Sequence, residues 1–140
     1  MYKIFSPYFR IDQVMARWAA TANDFDEVVG YTYLGDVFLR NSKTGQFAIL
    51  FTIGPELVSL DIYSFPEFEK SFLSHSEAIR TILQKQKLDL IEGRLGKLDG
   101  DEIYIPVPFP FMGGDRSIES YKKGNLFTYL DLVGGLQDID

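Results

Sequence analysis

Cysteine is absent from the 140-residue chain, and histidine and tryptophan occur once each. Without cysteine the chain forms no disulfide and offers no thiolate, which suits a cytoplasmic protein. A single histidine leaves zinc and copper sites without their usual ligands, so we expect no metal and no cofactor. His75 could act as a catalytic base only beside a serine in space. At a predicted helix start, we interpret it as a capping or surface residue.

Long apolar runs and blocks of one charge are also missing. No run approaches the ~20 residues that cross a bilayer, and the N-terminus lacks the apolar region of a signal peptide. The net charge is −6, from 20 acidic and 14 basic residues. Nucleic-acid binding needs a Lys/Arg face, whereas the only basic pair here is Lys122 and Lys123. The composition therefore predicts neither nucleic acid nor membrane as a partner.

Apolar residues make up 46% of the chain and aromatic residues 15%, enough for one aromatic-rich core. The pattern FRIDQVMARWAATA (residues 9–22) has helical spacing. VVGYTYLGDVFLRN (28–41) indicates a strand with a bulge or tight bend at Gly35. After the turn SKTG, the segment QFAILFTI predicts a strand buried on both faces, and LVSLDIY predicts a third. Short turns between them favour an antiparallel meander.

The second half of the chain carries helix signals. Ser64 with Glu67, and Ser74 with Glu77, have the spacing of capping boxes. GRLGKLDGDE (93–102) predicts a loop, IYIPVPFPF (103–111) an extended segment, and Asn125 caps a last helix running to Gly134–Gly135. We expect an α+β fold: an antiparallel sheet of about four to six strands flanked by N-terminal, middle and C-terminal helices.

The proline-rich run IPVPFPFMGGD is not a phosphate loop, because neither the Walker nor the dinucleotide spacing is present. Prolines at alternate positions leave one side of the strand without N–H donors, which predicts an edge strand. Val107, Phe109 and Phe111 then project together on the other side. They predict an aromatic clamp on the sheet or, alternatively, a ledge of Phe109 and Phe111 for a partner peptide.

Two acidic clusters remain, in the loops DFDE and DGDE. The second lacks the twelve-residue pattern of a calcium loop. The two clusters predict either solvated turns or an acidic contact surface, and a catalytic carboxylate pair would require convergence in a cleft. The six residues are Asp24, Asp26, Glu27, Asp99, Asp101 and Glu102.

Two segments, GYTYLGDVFLRNSKTGQF and PFMGGDRSIESYKKGNLFTYLDLVGGL, carry a family resemblance. Together they resemble the C-terminal domain of type VI secretion DNase-immunity proteins, long catalogued as a domain of unknown function and often following a GAD-like domain. The resemblance covers about residues 25–137, within a single immunity-type domain over 1–140. Gly35, Asp36, Gly113 and Gly114 match the motifs, with backbone geometry as their expected role. The SUKH immunity superfamily is a weaker alternative, because its N-terminal motif is not visible.

The resemblance implies a non-enzymatic, cytoplasmic antidote that binds and blocks a cognate secreted toxin, a DNase in some members. It supplies no catalytic residues. A different hypothesis is a regulatory or scaffold domain that binds a peptide or small ligand in an aromatic groove near Phe109 and Phe111. A pocket lined by those rings, with few acids nearby, would favour this second hypothesis.

Overall fold

A computed structural model describes residues 1–139 as a mixed α+β fold, which confirms the predicted class. The strands are β1 (Tyr2–Arg10), β2 (Glu27–Thr32), β3 (Val37–Arg40), β4 (Phe47–Phe51), β5 (Glu56–Ser59), β6 (Glu102–Pro106) and β7 (Tyr121–Asn125). The helices are α1 (Ile11–Val14), α2 (Ala19–Ala22), α3 (Phe65–Phe68), α4 (Ser76–Thr81), α5 (Lys85–Leu95) and α6 (Leu126–Leu136).

The first five strands form one antiparallel sheet in chain order, β1-β2-β3-β4-β5. The predicted meander is therefore right, but two of its parts differ. β1 precedes the first helix, so the helix predicted from Phe9 was wrong at its start: Phe9 pairs with Val28 across the β1–β2 ladder. The helical spacing also breaks at Met15, whose backbone (φ −152°) separates α1 from the 3₁₀ turn Ala16–Trp18.

The segment predicted as one bent strand is a hairpin of β2 and β3. Gly35 stands in the connecting turn with φ +96°, a region that L side chains rarely adopt. A Cβ at this position would also lie 2.8 Å from Cε2 of Tyr129. Thr32 closes the turn by accepting, at its hydroxyl, the N–H groups of Leu34 (3.3 Å) and Asp36 (3.1 Å).

Both faces of the five-stranded sheet are covered. Successive side chains of β4 point to opposite faces and enter different cores. Ala48 and Leu50 join the core with α6 and the N-terminal helices. Phe47 and Ile49 join a second core with the middle helices. The predicted burial of this strand on both faces is confirmed, and the fold has a helix–sheet–helix arrangement.

The middle helices begin after the N-cap residue Ser64, whose hydroxyl accepts the N–H of Glu67. α3 continues into a π-helical turn, Glu69–Leu73. The second capping residue is His75 rather than the predicted Ser74: its Nδ1 accepts the N–H of Glu77 at 3.2 Å. The predicted loop from residue 93 was also wrong at its start, because α5 continues to Leu95 before the positive φ of Gly96.

A second sheet of two strands, β6 and β7, packs between α5 and α6. One face of this hairpin turns Tyr104 and Tyr121 toward α5. Its other face turns Ile103 and Ile105 toward α6. The extended segment predicted to reach Phe111 ends at Pro106, and β7 was not predicted at all.

Candidate partner-binding surfaces

The acidic residues beside β2 are largely engaged within the chain. The carboxylate of Asp26 accepts the N–H (2.9 Å) and the hydroxyl (2.6 Å) of Ser42, which ties β2 to the β3–β4 turn. Burial by itself would raise the pKa of Asp26, but the bonds from Ser42 outweigh it and leave the pKa lowered. Glu27 pairs with Arg40 on the neighbouring strand. Within the described residues, Asp24 is exposed and its carboxylate has no bonded partner.

The second acidic cluster lies toward the other end of β2. Asp101 accepts from Nζ of Lys3 (2.9 Å) and from the hydroxyl of Tyr31 (3.2 Å). Burial and the neighbouring carboxylate raise the pKa of Tyr31, which stays a donor. Glu102 accepts the backbone N–H of Asp99 at 2.8 Å. Asp99 is exposed, and its carboxylate makes no bond in residues 1–139. Glu27 and Tyr31, which contact the two clusters, are four positions apart on β2, or about 13 Å along the strand.

Asp36 takes part in a polar network between the sheet and α6. Its Oδ1 accepts the N–H of Thr52 at 3.1 Å, and the Thr52 hydroxyl donates to the carbonyl of Gly35 at 2.8 Å. Since that hydroxyl proton is used, Tyr129 must donate to Oγ1 of Thr52, at 2.9 Å. Burial raises the pKa of Asp36 to about 6, although the Thr52 N–H favours the charged form.

A cavity of about 250 Å³ opens beside this network. Its lining mixes one carboxylate, Asp36, with two cations, Lys87 and Arg116, and two phenol rings, Tyr121 and Tyr129. The carboxylate of Asp36 already accepts the backbone N–H of Thr52, just after β4. We therefore assign Asp36 a structural role.

The loop after β6 is shaped by Gly113 and Gly114. Gly113 has φ +92° and ends the 3₁₀ turn Pro110–Met112. A Cβ on Gly114 would lie 1.9 Å from the carbonyl oxygen of Pro108, so only glycine fits where the loop closes on itself. The loop leads into β7.

The two predicted ledge residues do come together. The rings of Phe109 and Phe111 stack with centroids 5.4 Å apart, and Phe109 also meets Tyr129 edge-on at 6.1 Å. Phe109 is partly buried by this contact, whereas Phe111 is 40% exposed. The pair thus contains one ring that anchors the loop and one ring that faces solvent.

A groove of about 510 Å³ runs between this loop and α6. We call it the hairpin–helix groove, and its lining is mostly apolar. It is lined by Ile105, Pro106, Val107, Pro108, Phe109, Met112, Lys122, Lys123, Gly124, Asn125, Thr128, Tyr129, Leu132 and Leu136. Four of its apolar side chains are strongly exposed: Met112 at 57%, Leu132 at 50%, Leu136 at 47% and Val107 at 45%. This exposed apolar surface makes the groove a candidate interaction site.

Most of this groove was not predicted from the sequence. Phe109 was named, but Leu132 and Leu136 were assigned only to a helix, and β7 was missed. One signal was available, because the apolar residues of α6 extend around more than half of its circumference and only Asp131 is charged. Among residues 1–139, no group of three His, Asp or Glu residues is arranged to hold a metal ion. No helix in that range is long and apolar enough to cross a bilayer.

The family model described as T6SS immunity protein Tdi1, C-terminal, matches residues 64–137, which is more than half of the 140-residue chain. The chain belongs to this family. Proteins of this immunity family are generally non-enzymatic. The matched stretch begins at Ser64, so it contains the whole hairpin–helix groove but not the segment GYTYLGDVFLRNSKTGQF.

Among solved structures, the fold of this immunity-family chain is similar to "Crystal structure of Atu4351 from Agrobacterium tumefaciens", with a TM-score of 0.65 and 14% identity. The similarity covers 94% of this chain and 65% of the other, so this chain spans about two-thirds of that relative's length. At this identity the likeness concerns the fold alone. Comparison with curated proteins gives no match.

Proposed function

We propose that this chain neutralises a cognate secreted toxin in the cytoplasm by binding to it, without catalysis of its own. The observation that carries the proposal is the hairpin–helix groove, an exposed apolar surface inside the part of the chain that matches the immunity family. A surface with Met112, Leu132 and Leu136 half exposed costs free energy in water, and a protein partner removes that cost.

The proposed toxin is a nuclease, as the charge of the chain favours. A nuclease surface that meets phosphate is basic, and the net charge of −6 here attracts such a surface over long range. Of the six acidic residues predicted as contacts, Asp24 and Asp99 have carboxylates with no bonded partner within residues 1–139. They are the two most available for a basic toxin, and the other four would have to exchange internal bonds for toxin contacts.

Co-expression tests the proposal directly. If the neighbouring gene encodes a secreted toxin, cells that express this toxin are expected to survive when this chain is also present, and the purified proteins are expected to bind each other. Failure of both survival and binding would reject the immunity role for that pair. Charge reversal of all six acidic residues separates the electrostatic part: unchanged toxin binding would remove it and leave the rest of the proposal standing.

A second candidate function is a regulatory or scaffold domain that binds a peptide in the same groove. The lining favours it, because Phe109 contributes a ring and no acidic side chain is present among the lining residues. The two candidates differ in one result. A scaffold domain leaves toxin-expressing cells unprotected, whereas an immunity protein protects them.

A further inference from the structure

Helix α6 presents apolar side chains on two faces that lie about 100° apart around its axis. Leu126, Leu130 and Val133 are at most 1% exposed and pack into the first core. Leu132 and Leu136, one turn apart, point outward and are about half exposed. A surface helix normally has a polar outer face. These two outer leucines therefore extend the apolar surface of α6 beyond the part that the described core covers.

The space beside these leucines is already formed. Phe109 packs edge-on against Tyr129 and fixes the loop wall. Gly124 lines the groove without a side chain, and a Cβ at this position would lie 2.5 Å from Cδ1 of Ile105. At about 510 Å³, the groove has room for a few large apolar side chains without rearrangement of its walls.

The charge around the groove is opposite to that of the whole chain. Lys122 pairs with Ile105 across the β6–β7 ladder and so stands on the groove face, exposed and with no bonded partner among residues 1–139. Lys123 donates to the carbonyl of Lys97 at 2.7 Å. The acid nearest to the groove on α6, Asp131, is turned to Arg17 at 3.1 Å. A carboxylate would thus meet an unneutralised ammonium group here.

We propose that the hairpin–helix groove receives a segment of the toxin that carries large apolar side chains next to an aspartate or glutamate. The apolar side chains cover Leu132 and Leu136, and the carboxylate pairs with Lys122. This inference rests on the proposed function. It adds that the recognition segment is acidic and apolar, in contrast to the basic surface expected around a nuclease active site, so the groove grips the toxin outside its phosphate-binding region.

The experiment measures toxin affinity for two charge-matched double variants. Leu132→Asp with Leu136→Asp is expected to weaken binding at least about 100-fold, since it places charges in the centre of an apolar contact. Leu90→Asp with Tyr63→Asp changes two other exposed apolar residues (63% and 51%) and should bind as the wild type does. Circular dichroism and melting curves should be those of the wild type for both. Equal affinity of both double variants would overturn the inference.

Lys122 is tested with a second pair. Lys122→Glu is expected to weaken binding about tenfold or more, whereas Lys70→Glu, at an exposed lysine on the π-helical turn, should not. A photoreactive amino acid at position 132 then identifies the toxin segment directly. The crosslinked peptide is expected to contain large apolar residues and an acidic residue, and a basic or purely polar peptide would overturn the inference.

Failure of the two proposals can be told apart. If the wild-type chain neither binds nor protects, the immunity role fails and the groove proposal falls with it. If the wild type binds and the Leu132→Asp, Leu136→Asp variant binds equally well, only the groove proposal fails. Sedimentation of the free wild-type chain is expected to give a monomer. A dimer that this double variant dissociates would show a second copy in the groove and also overturn the inference.

Discussion

The five-stranded sheet and the hairpin–helix region differ in how far their side chains are buried and bonded within the chain. In the sheet, β4 is buried on both faces, and most nearby carboxylates are bonded to the chain itself. In the hairpin–helix region β6 is also buried, but Leu132 and Leu136 of α6, Met112 of the loop and Lys122 of β7 are exposed. We therefore expect the sheet to contribute more to stability, and we propose the hairpin–helix region as the surface that binds the partner.

The largest expected difference between the regions concerns two phenylalanines. Phe68 is fully buried and stacks on Phe47 and Phe72 with centroids 4.7 and 5.3 Å away. Phe68→Ala should lower the free energy of unfolding by about 3–5 kcal/mol. Phe111→Ala, at the exposed ring of the loop, should lower it by less than about 1 kcal/mol. Urea denaturation measures both, and similar losses would refute the division of roles.

Asp36 gives the next largest effect, with a pH dependence. Its folded-state pKa of about 6 is raised above the value of an unfolded aspartate, so the native state binds the proton more tightly. The carboxyl group therefore destabilises the fold above pH 6, and the penalty disappears as the pH falls toward 4. Asp36→Asn, which can still accept from Thr52, should stabilise the protein at pH 7.5 by about 1–2 kcal/mol.

The check on Asp36 is a series of unfolding curves between pH 4 and 8. The gain from Asp36→Asn should shrink toward pH 4. Asp24→Asn removes the same formal charge from an exposed position and serves as the control, with a profile parallel to that of the wild type. A gain from Asp36→Asn that does not vary with pH would contradict the assignment to carboxylate burial.

The N-terminal cap of α6 tests the stability of the hairpin–helix region, with a smaller expected effect. The side-chain oxygen of Asn125 accepts the N–H groups of Phe127 (2.9 Å) and Thr128 (3.1 Å). Asn125→Ala should cost about 1 kcal/mol of stability, and Asn125→Asp should retain most of the cap. Thermal melting compares the two variants. Equal losses would mean that Asn125 matters for the loop or groove rather than for the helix cap.

The smallest expected effects come from the acidic residues near β2. Asp26→Ala removes two hydrogen bonds to Ser42 and should cost about 1 kcal/mol, while Asp24→Ala should stay within about 0.5 kcal/mol. Both lose one charge, so the difference isolates the bonds. Denaturant midpoints measured in parallel decide the point, and a larger loss at Asp24 would contradict the bonding pattern described above.

Local signals in the sequence predicted the elements that local physics determines. The meander followed from β-branched runs and turn residues, and the caps Ser64 and Asn125 followed from side-chain chemistry. β1 was missed because the residues from Phe9 onward have helical spacing. The strand forms instead by pairing with β2, which is a tertiary interaction. β7, with the sequence YKKGN, has no alternation at all and is a strand only because β6 lies beside it.

The candidate site was predicted less well than the fold. Charge led to the prediction of six acidic contact residues, which stays a prediction. The sequence does not tell which of these carboxylates bond within the chain, since Asp101 pairs with Lys3, 98 positions away. The aromatic ledge was anticipated only through Phe109 and Phe111. The outer leucines of α6 have the same helical spacing as buried ones, and only the packing of the hairpin decides which face is covered.

Trp18 provides an optical probe that needs no label. It is the sole tryptophan, has no exposed surface, and donates its indole N–H to the carbonyl of Leu130 at 2.9 Å, opposite Gly134. Its fluorescence therefore reports on whether the inner face of α6 stays packed against the first core. A partner that only covers the outer leucines leaves the emission maximum in place, whereas one that pulls the helix away shifts it to the red, so titration distinguishes rigid docking from rearrangement.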